Sequence, residues 1–150
     1  MKNNLLPSNQ ETITLLAIAA TNHDLPRLKA LAETINERSR ASQDHDTKIL
    51  DNALAYTKPG GKITAAVAHA ENKIRFEVSD TGVGIPEKDQ PQIFNVFFRA
   101  SNAARMLPDA SGLGLYLAKY YTELEGGRIG FQSVEKRGST FWVEFPTENI

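Results

Sequence analysis

A chain of 150 residues, 41% hydrophobic and 23% charged with a formal net charge of −1, has the composition of one soluble globular domain. Such a balance gives no reason to expect a nucleic acid or an anionic membrane as partner, and the absence of cysteine excludes a disulfide framework or a thiolate metal site. The longest apolar run, Ile13 to Ala20, is far short of the roughly 20 residues that cross a bilayer, so no membrane insertion is expected and the setting reads as cytoplasmic.

Residues 1 to 10 are polar and expected to fray. From Thr12 to Ala20 the chain is β-branched at first and alanine-rich afterwards, and periodicity leaves strand and buried helix both open. Asn22 or Asp24 is a candidate cap for a helix with Pro26 in its first turn, whose apolar stripe is Leu28, Leu31, Ala32 and Ile35. The polar stretch from Glu37 to Asp46 reads as the linker. A second helix is expected with Asp44 or Asp46 as cap, burying Ile49, Leu50, Ala53 and Leu54 and stopping at Pro59-Gly60-Gly61. Lys48, Asn52, Ala55 and Tyr56 share a different neighbourhood of that helix, one turn apart.

Two alternating runs follow, Ile63, Ala65, Val67 and then Ile74, Phe76, Val78, and Ala70-Glu71-Asn72 makes them a hairpin. The second run delivers Asp80 to its C-terminal end. Pro86 to Phe94 reads as a short helix or turn limited by Pro86 and Pro91. Residues 100–110 are small and weakly patterned and read as a mobile cover. A third helix is predicted from about Gly112 to Glu125, with Leu113, Leu117, Tyr120, Tyr121 and Leu124 on its apolar face and Gly126-Gly127 as its stop. A last hairpin places Ile129, Phe131 and Ser133 opposite Phe141, Val143 and Phe145, turning at Lys136-Arg137-Gly138. The order of elements predicts an α/β (α+β) two-layer sandwich with helices on one face of a mixed, mainly antiparallel sheet.

The chemistry concentrates between Ser79 and Leu115 and reads as a nucleotide site. A carboxylate at a strand end, Asp80, accepts a hydrogen bond from an exocyclic amine, while Gly82 lets backbone approach a flat ring. Gly112 and Gly114, placed in the first helical turn, offer unpaired N–H groups and the positive end of a dipole to phosphate. Asn52 offers a neutral carbonyl oxygen of the kind Mg²⁺ accepts. Arg99 and Arg105 flank the cover and are both candidates to pair with the triphosphate, though for Arg105 a solvated side chain fits equally well. Ile85, Leu113 and Phe141 line an adenine pocket or simply pack the core. Phe97 and Phe98 read as a hinge packing rather than a base stack, and Lys58 and Lys119 as solvent-facing.

From about Asp46 to Pro146 the chain resembles the catalytic, ATP-binding domain of a sensor histidine kinase, whose Bergerat-type fold is shared with gyrase, HSP90 and MutL. Asp51-Asn52-Ala53-Leu54-Ala55-Tyr56-Thr57 resembles the asparagine box. Asp80-Thr81-Gly82-Val83-Gly84-Ile85-Pro86 resembles the first glycine box, and Ile93-Phe94-Asn95-Val96-Phe97-Phe98-Arg99 the phenylalanine box. Ser111-Gly112-Leu113-Gly114-Leu115, followed by Gly138-Ser139-Thr140-Phe141, resembles the later glycine boxes. The resemblance implies ATP and Mg²⁺ as cofactors, Asn52 as metal ligand and catalytic residue, and Tyr56 in the nucleotide site. It implies that Asp80 reads the adenine amine and that Thr140 reaches the base. The reaction implied is transfer of the γ-phosphoryl group to a histidine of a separate dimerisation and phosphotransfer domain, with a response regulator downstream.

Three positions depart from that pattern. Lys48 stands where the family has an asparagine and the gyrase-type enzymes a glutamate base, which argues against hydrolysis of the gyrase kind. Ala55 replaces a phosphate-contacting lysine, and Ala110 a glycine. Upstream, residues 1–45 are a helical or linker segment, either the remnant of a phosphoacceptor region or part of the sandwich, with residues 46–150 as the ATP-binding domain. Asn22-His23-Asp24-Leu25-Pro26 faintly resembles a phosphoacceptor box, but the 45 residues before Asp46 are too few for a helical hairpin. The alternatives to a histidine kinase are a nucleotide-binding interaction module without turnover and a serine kinase of the anti-sigma-factor type.

Overall fold

The computed structural model describes residues 18–20, 45–70 and 72–146. Strands β1 (Ile18–Ala20), β2 (Ile63–Ala70), β3 (Lys73–Asp80), β4 (Arg128–Val134) and β5 (Gly138–Pro146) form one sheet in the order β1-β2-β3-β5-β4. Every ladder among them is antiparallel, so the sheet is not mixed within the described residues. The open choice at Thr12 to Ala20 falls to strand at its end, where Ile18 pairs with Ala65. The helix expected from Pro26, the linker before position 45 and His23 lie outside the described residues.

Alternation decides which face is buried. Ile74, Phe76 and Val78 of β3 and Phe141, Val143 and Phe145 of β5 point to one side, together with Ile63 and Ala65, and all belong to one core cluster. Two helices cover this side and pack against each other: α1 (His45–Tyr56) and α3 (Gly114–Leu124). Helix α1 contributes Ile49, Leu50 and Ala53, and α3 contributes Ala118, each buried. Burying a side chain the size of Ile49 or Phe141 contributes about 1.5–3 kcal/mol each, and this layer is what fixes the helices on the sheet. Helix α1 begins at His45, which places Asp46 inside its first turn rather than at the cap.

The opposite face is polar. Glu144 is buried there, and burial alone would raise its carboxyl, yet Arg128 and Lys73 outweigh that and hold it below its ordinary value. Glu77 goes the other way: burial raises it, and Arg75, donating to it at 3.2 Å, offsets this only in part.

Candidate functional site

Beta-strand β3 ends at Asp80 because the core-facing register that buries Ile74, Phe76 and Val78 brings its carboxylate to the helix side at the sheet's end. There Oδ1 accepts hydrogen bonds from the Gly82 N–H at 2.9 Å and the Ser139 N–H at 3.2 Å. Among the described residues Oδ2 takes none, so this oxygen is left for a ligand. Burial raises the Asp80 carboxyl above its ordinary value, and the two N–H donors offset that only partly. A half-buried carboxylate with one fixed oxygen and one open one is a receptor for a hydrogen-bond donor.

The turn after Asp80 is held from several sides. The Lys136 N–H donates to the Val83 carbonyl at 2.7 Å, and the Asn102 amide donates to the carbonyls of Val83 and Gly84 at 3.3 and 2.8 Å. The Ile85 N–H donates to Ser133 Oγ at 2.8 Å, while Gln90 donates to the Ile85 and Ser133 carbonyls at 3.1 Å each. Gly82 is packed so closely that a Cβ would stand 2.3 Å from the Tyr56 carbonyl oxygen. No side chain larger than hydrogen fits there.

In front of this turn lies a cavity of about 280 Å³. Helix α1 gives it Lys48, Asp51, Asn52, Ala55 and Tyr56; the strand ends and turn give Asp80, Val83, Gly84, Ile85 and Ser139. Ile93, Phe98, Arg99 and Ala103 close a third side, and Ser111, Gly112, Gly114 and Leu115 a fourth. Of the residues expected at the site, Asn52, Tyr56, Asp80, Gly84, Ile85, Arg99, Ser111, Gly112, Gly114 and Leu115 are thus brought together. Gly82, Leu113 and Thr140 are not on the wall. Gly82 acts from behind through its N–H to Asp80, and Leu113 is the residue that precedes α3.

Thr140 is a correction. It faces the polar side of the sheet, where its hydroxyl shares a 2.8 Å hydrogen bond with that of Ser79. Side chains on a strand alternate, so the register that buries Phe141 puts Ser139, not Thr140, on the cavity side. The helix bound also moves: α3 starts at Gly114, and Gly112 lies ahead of it with φ of +75°. No side chain caps the start of α3, so its leading N–H groups remain available at the cavity wall.

The cover is a helix, α2 (Ser101–Met106), rather than an unpatterned segment. Alanine, arginine and methionine favour helix, and Asp89 supplies the cap, its Oδ2 accepting from both the Ser101 N–H and the Ser101 hydroxyl at 3.0 Å. Those bonds, the Ser101 N–H foremost, hold the Asp89 carboxyl below its ordinary value. Arg99 closes the other end of α2. Its guanidinium donates to the carbonyls of Pro108 at 2.9 Å, Ala103 at 3.3 Å and also Leu107. Arg99 therefore ties the cover to the wall instead of standing free for phosphate. Replacing it with alanine is expected to raise amide hydrogen exchange at Ala104 and Leu107 about tenfold or more, and unchanged exchange there would refute this role.

Phe97 is 67% exposed, has φ of +62° and donates its N–H to the Gly112 carbonyl at 3.1 Å. Phe98 packs against the core, as does Phe94, which stands edge-on to Phe131 with centroids 5.8 Å apart. Arg105 and Lys58 are exposed and border a second depression behind the turn. Lys119 is half-buried, its ammonium 3.8 Å from Glu123 and 5.5 Å above the Phe94 ring. Sequence reading passed over Ser139, Asp89, Asn102 and Ser133. Only Ser139 carried a signal, through the alternation of β5.

With this geometry in view, comparison with known proteins identifies the family. The profile described as histidine kinase-, DNA gyrase B-, and HSP90-like ATPase matches residues 47–149. The chain belongs to that family. The circadian input-output histidine kinase CikA of Synechococcus elongatus is 39% identical over 102 residues, covering 68% of this chain and 14% of that protein. The sensor histidine kinase WalK of Bacillus subtilis is 36% identical over 110 residues, covering 69% of this chain and 18% of that protein. The chain thus spans less than a fifth of the length of these relatives. Among solved structures, the mycobacterial sensor histidine kinase MprB superposes with a TM-score of 0.63 at 20% identity, over 86% of this chain and 97% of that one. The catalytic domain of the histidine kinase ThkA gives 0.61 at 22% identity, over 88% and 98%. These likenesses agree with an α/β sandwich ATPase fold.

A divalent metal fits this ATPase site only in part through protein ligands. Asn52 lines the cavity, and its amide makes no hydrogen bond among the described residues, so its oxygen is open to a hard cation. Among the described residues no group of three His, Cys, Asp or Glu side chains is assembled to cage a metal. Such a site suits Mg²⁺ brought with phosphate oxygens and water, which is how that ion is commonly held.

Proposed function

We propose that residues 46–150 form the ATP-binding catalytic domain of a two-component sensor histidine kinase. It passes the γ-phosphoryl group of ATP to a histidine on a separate dimeric phosphotransfer domain, with a response regulator as the later acceptor. The observation that carries this reading is the fixed and open pair of oxygens on Asp80 in a cavity that also receives the uncapped start of α3. The names of the relatives support the choice of a histidine acceptor. Residues 18–20 contribute to the sandwich, since β1 extends the sheet beside β2. The setting is the cytoplasmic side, where ATP is available; among the described residues no helix is long and apolar enough to cross a membrane.

In this reading Asp80 Oδ2 accepts from the adenine amine, and Gly82 fixes the other carboxylate oxygen from behind through its N–H. The start of α3 receives the phosphates through N–H groups and dipole. Asn52 would hold Mg²⁺ through its side-chain oxygen, and the ion would supply charge neutralisation for the phosphates. Catalysis is then mainly positioning, and α2 shields the cavity from water.

The experiment is incubation of the protein with γ-labelled ATP and a helical-hairpin phosphotransfer domain. Acid-labile label on the hairpin histidine is the expected result. Label that stays in the nucleotide would leave a binding module without turnover, and acid-stable label would point to a serine kinase.

A further inference from the structure

The cavity wall carries two cationic side chains, Lys48 and Arg99. Arg99 is engaged with the carbonyls of Ala103, Leu107 and Pro108. Lys48 is half-buried and makes no ion pair or hydrogen bond among the described residues. It sits one turn before Asn52 on α1, on the same wall as Ala55, which brings no charge of its own. The uncapped start of α3 at Gly114 borders the same cavity. An incoming polyphosphate would therefore meet N–H donors from α3 and, from α1, one ammonium unpaired among the described residues.

We propose that Lys48 is the phosphate-recognising cation of this site, the side chain by which the cavity prefers a nucleoside triphosphate to the nucleoside alone. The inference rests on the adenine-nucleotide reading above. A lysine suits the task because its compact charge, three donors and flexible stem follow a phosphate oxygen without demanding a fixed fork geometry.

The test is calorimetric titration of ATP and of adenosine in EDTA, which removes any metal contribution. Wild-type protein is expected to bind both, ATP more tightly. Lys48→Met is expected to lose roughly tenfold in ATP affinity with adenosine unchanged, as for a charge-assisted contact to phosphate. Lys48→Arg is expected to keep the preference for ATP, and Ala55→Lys in the Lys48→Met background to restore part of it. Lys48→Asn serves if the methionine variant fails to fold. An unaltered ATP-to-adenosine ratio in a folded Lys48 variant overturns this inference alone. Wild-type protein that binds neither ligand overturns it together with the nucleotide reading.

Discussion

Asp80→Asn is expected to cost roughly 100-fold in ATP affinity while leaving the ligand-free protein at least as stable as before at neutral pH. The asymmetry follows from the two donors on Oδ1. The Gly82 and Ser139 N–H groups require an acceptor, so an asparagine keeps its carbonyl oxygen there and turns its NH₂ to the cavity. An amine donor on the ligand then meets a donor on the protein. The same geometry predicts that inosine triphosphate, whose ring presents a carbonyl at that place, gains on ATP in the variant. Thr140→Val is the control: it loses only the bond to Ser79, on the other sheet face, and should keep ATP affinity within about threefold.

Burial raises the folded-state value of Asp80 above its ordinary 3.8. Folding therefore favours the protonated carboxyl, and that contribution is complete below 3.8 and lost as pH rises through the raised value. Above that window ionised Asp80 opposes folding, and asparagine relieves the cost. Urea denaturation should place the variant's midpoint at or above wild type at pH 7, with the advantage gone near pH 3. A variant clearly less stable at pH 7, or one binding ATP as wild type does, would sink the assignment.

How much of this was legible in the sequence depends on the range of the forces involved. Asp80 could be found because a period of two, set by Ile74, Phe76 and Val78, carries the eye to the strand's end. The same rule applied to Phe141 selects Ser139 rather than Thr140 for the cavity side. Helix α2 was not legible: six residues are under two turns and show no period. Its cap is Asp89, twelve positions away, and its far end is held by a guanidinium expected to seek phosphate. The short strand β1 exists through its ladder with β2, a partner more than forty residues later that local composition does not encode.

Gly84→Ala is expected to unfold or severely weaken the domain, whereas Gly114→Ala should fold and fail at the phosphates. Gly84 has φ of +65°, which costs an L-residue about 1–2 kcal/mol, and its Cβ would stand 2.1 Å from the Val134 carbonyl oxygen. That neighbour is backbone, and the turn is tied by the bonds from Lys136, Asn102 and the Ile85 N–H, so neither side yields without breaking several of them. Strain and lost bonds together should reach about 3 kcal/mol or more, a fall in melting temperature above roughly 10 °C for a domain this size. Gly114 has no positive φ, and a Cβ there meets no atom within 4 Å. The empty space beside it belongs to the cavity wall, where an anion would come to rest on the α3 N–H groups. Gly114→Ala should hold its melting temperature and lose ATP affinity more than adenosine affinity. If the melting temperature of Gly84→Ala matched wild type, the rigid clamp around the turn would be wrong; if Gly114→Ala bound ATP normally, the phosphates would have to lie elsewhere.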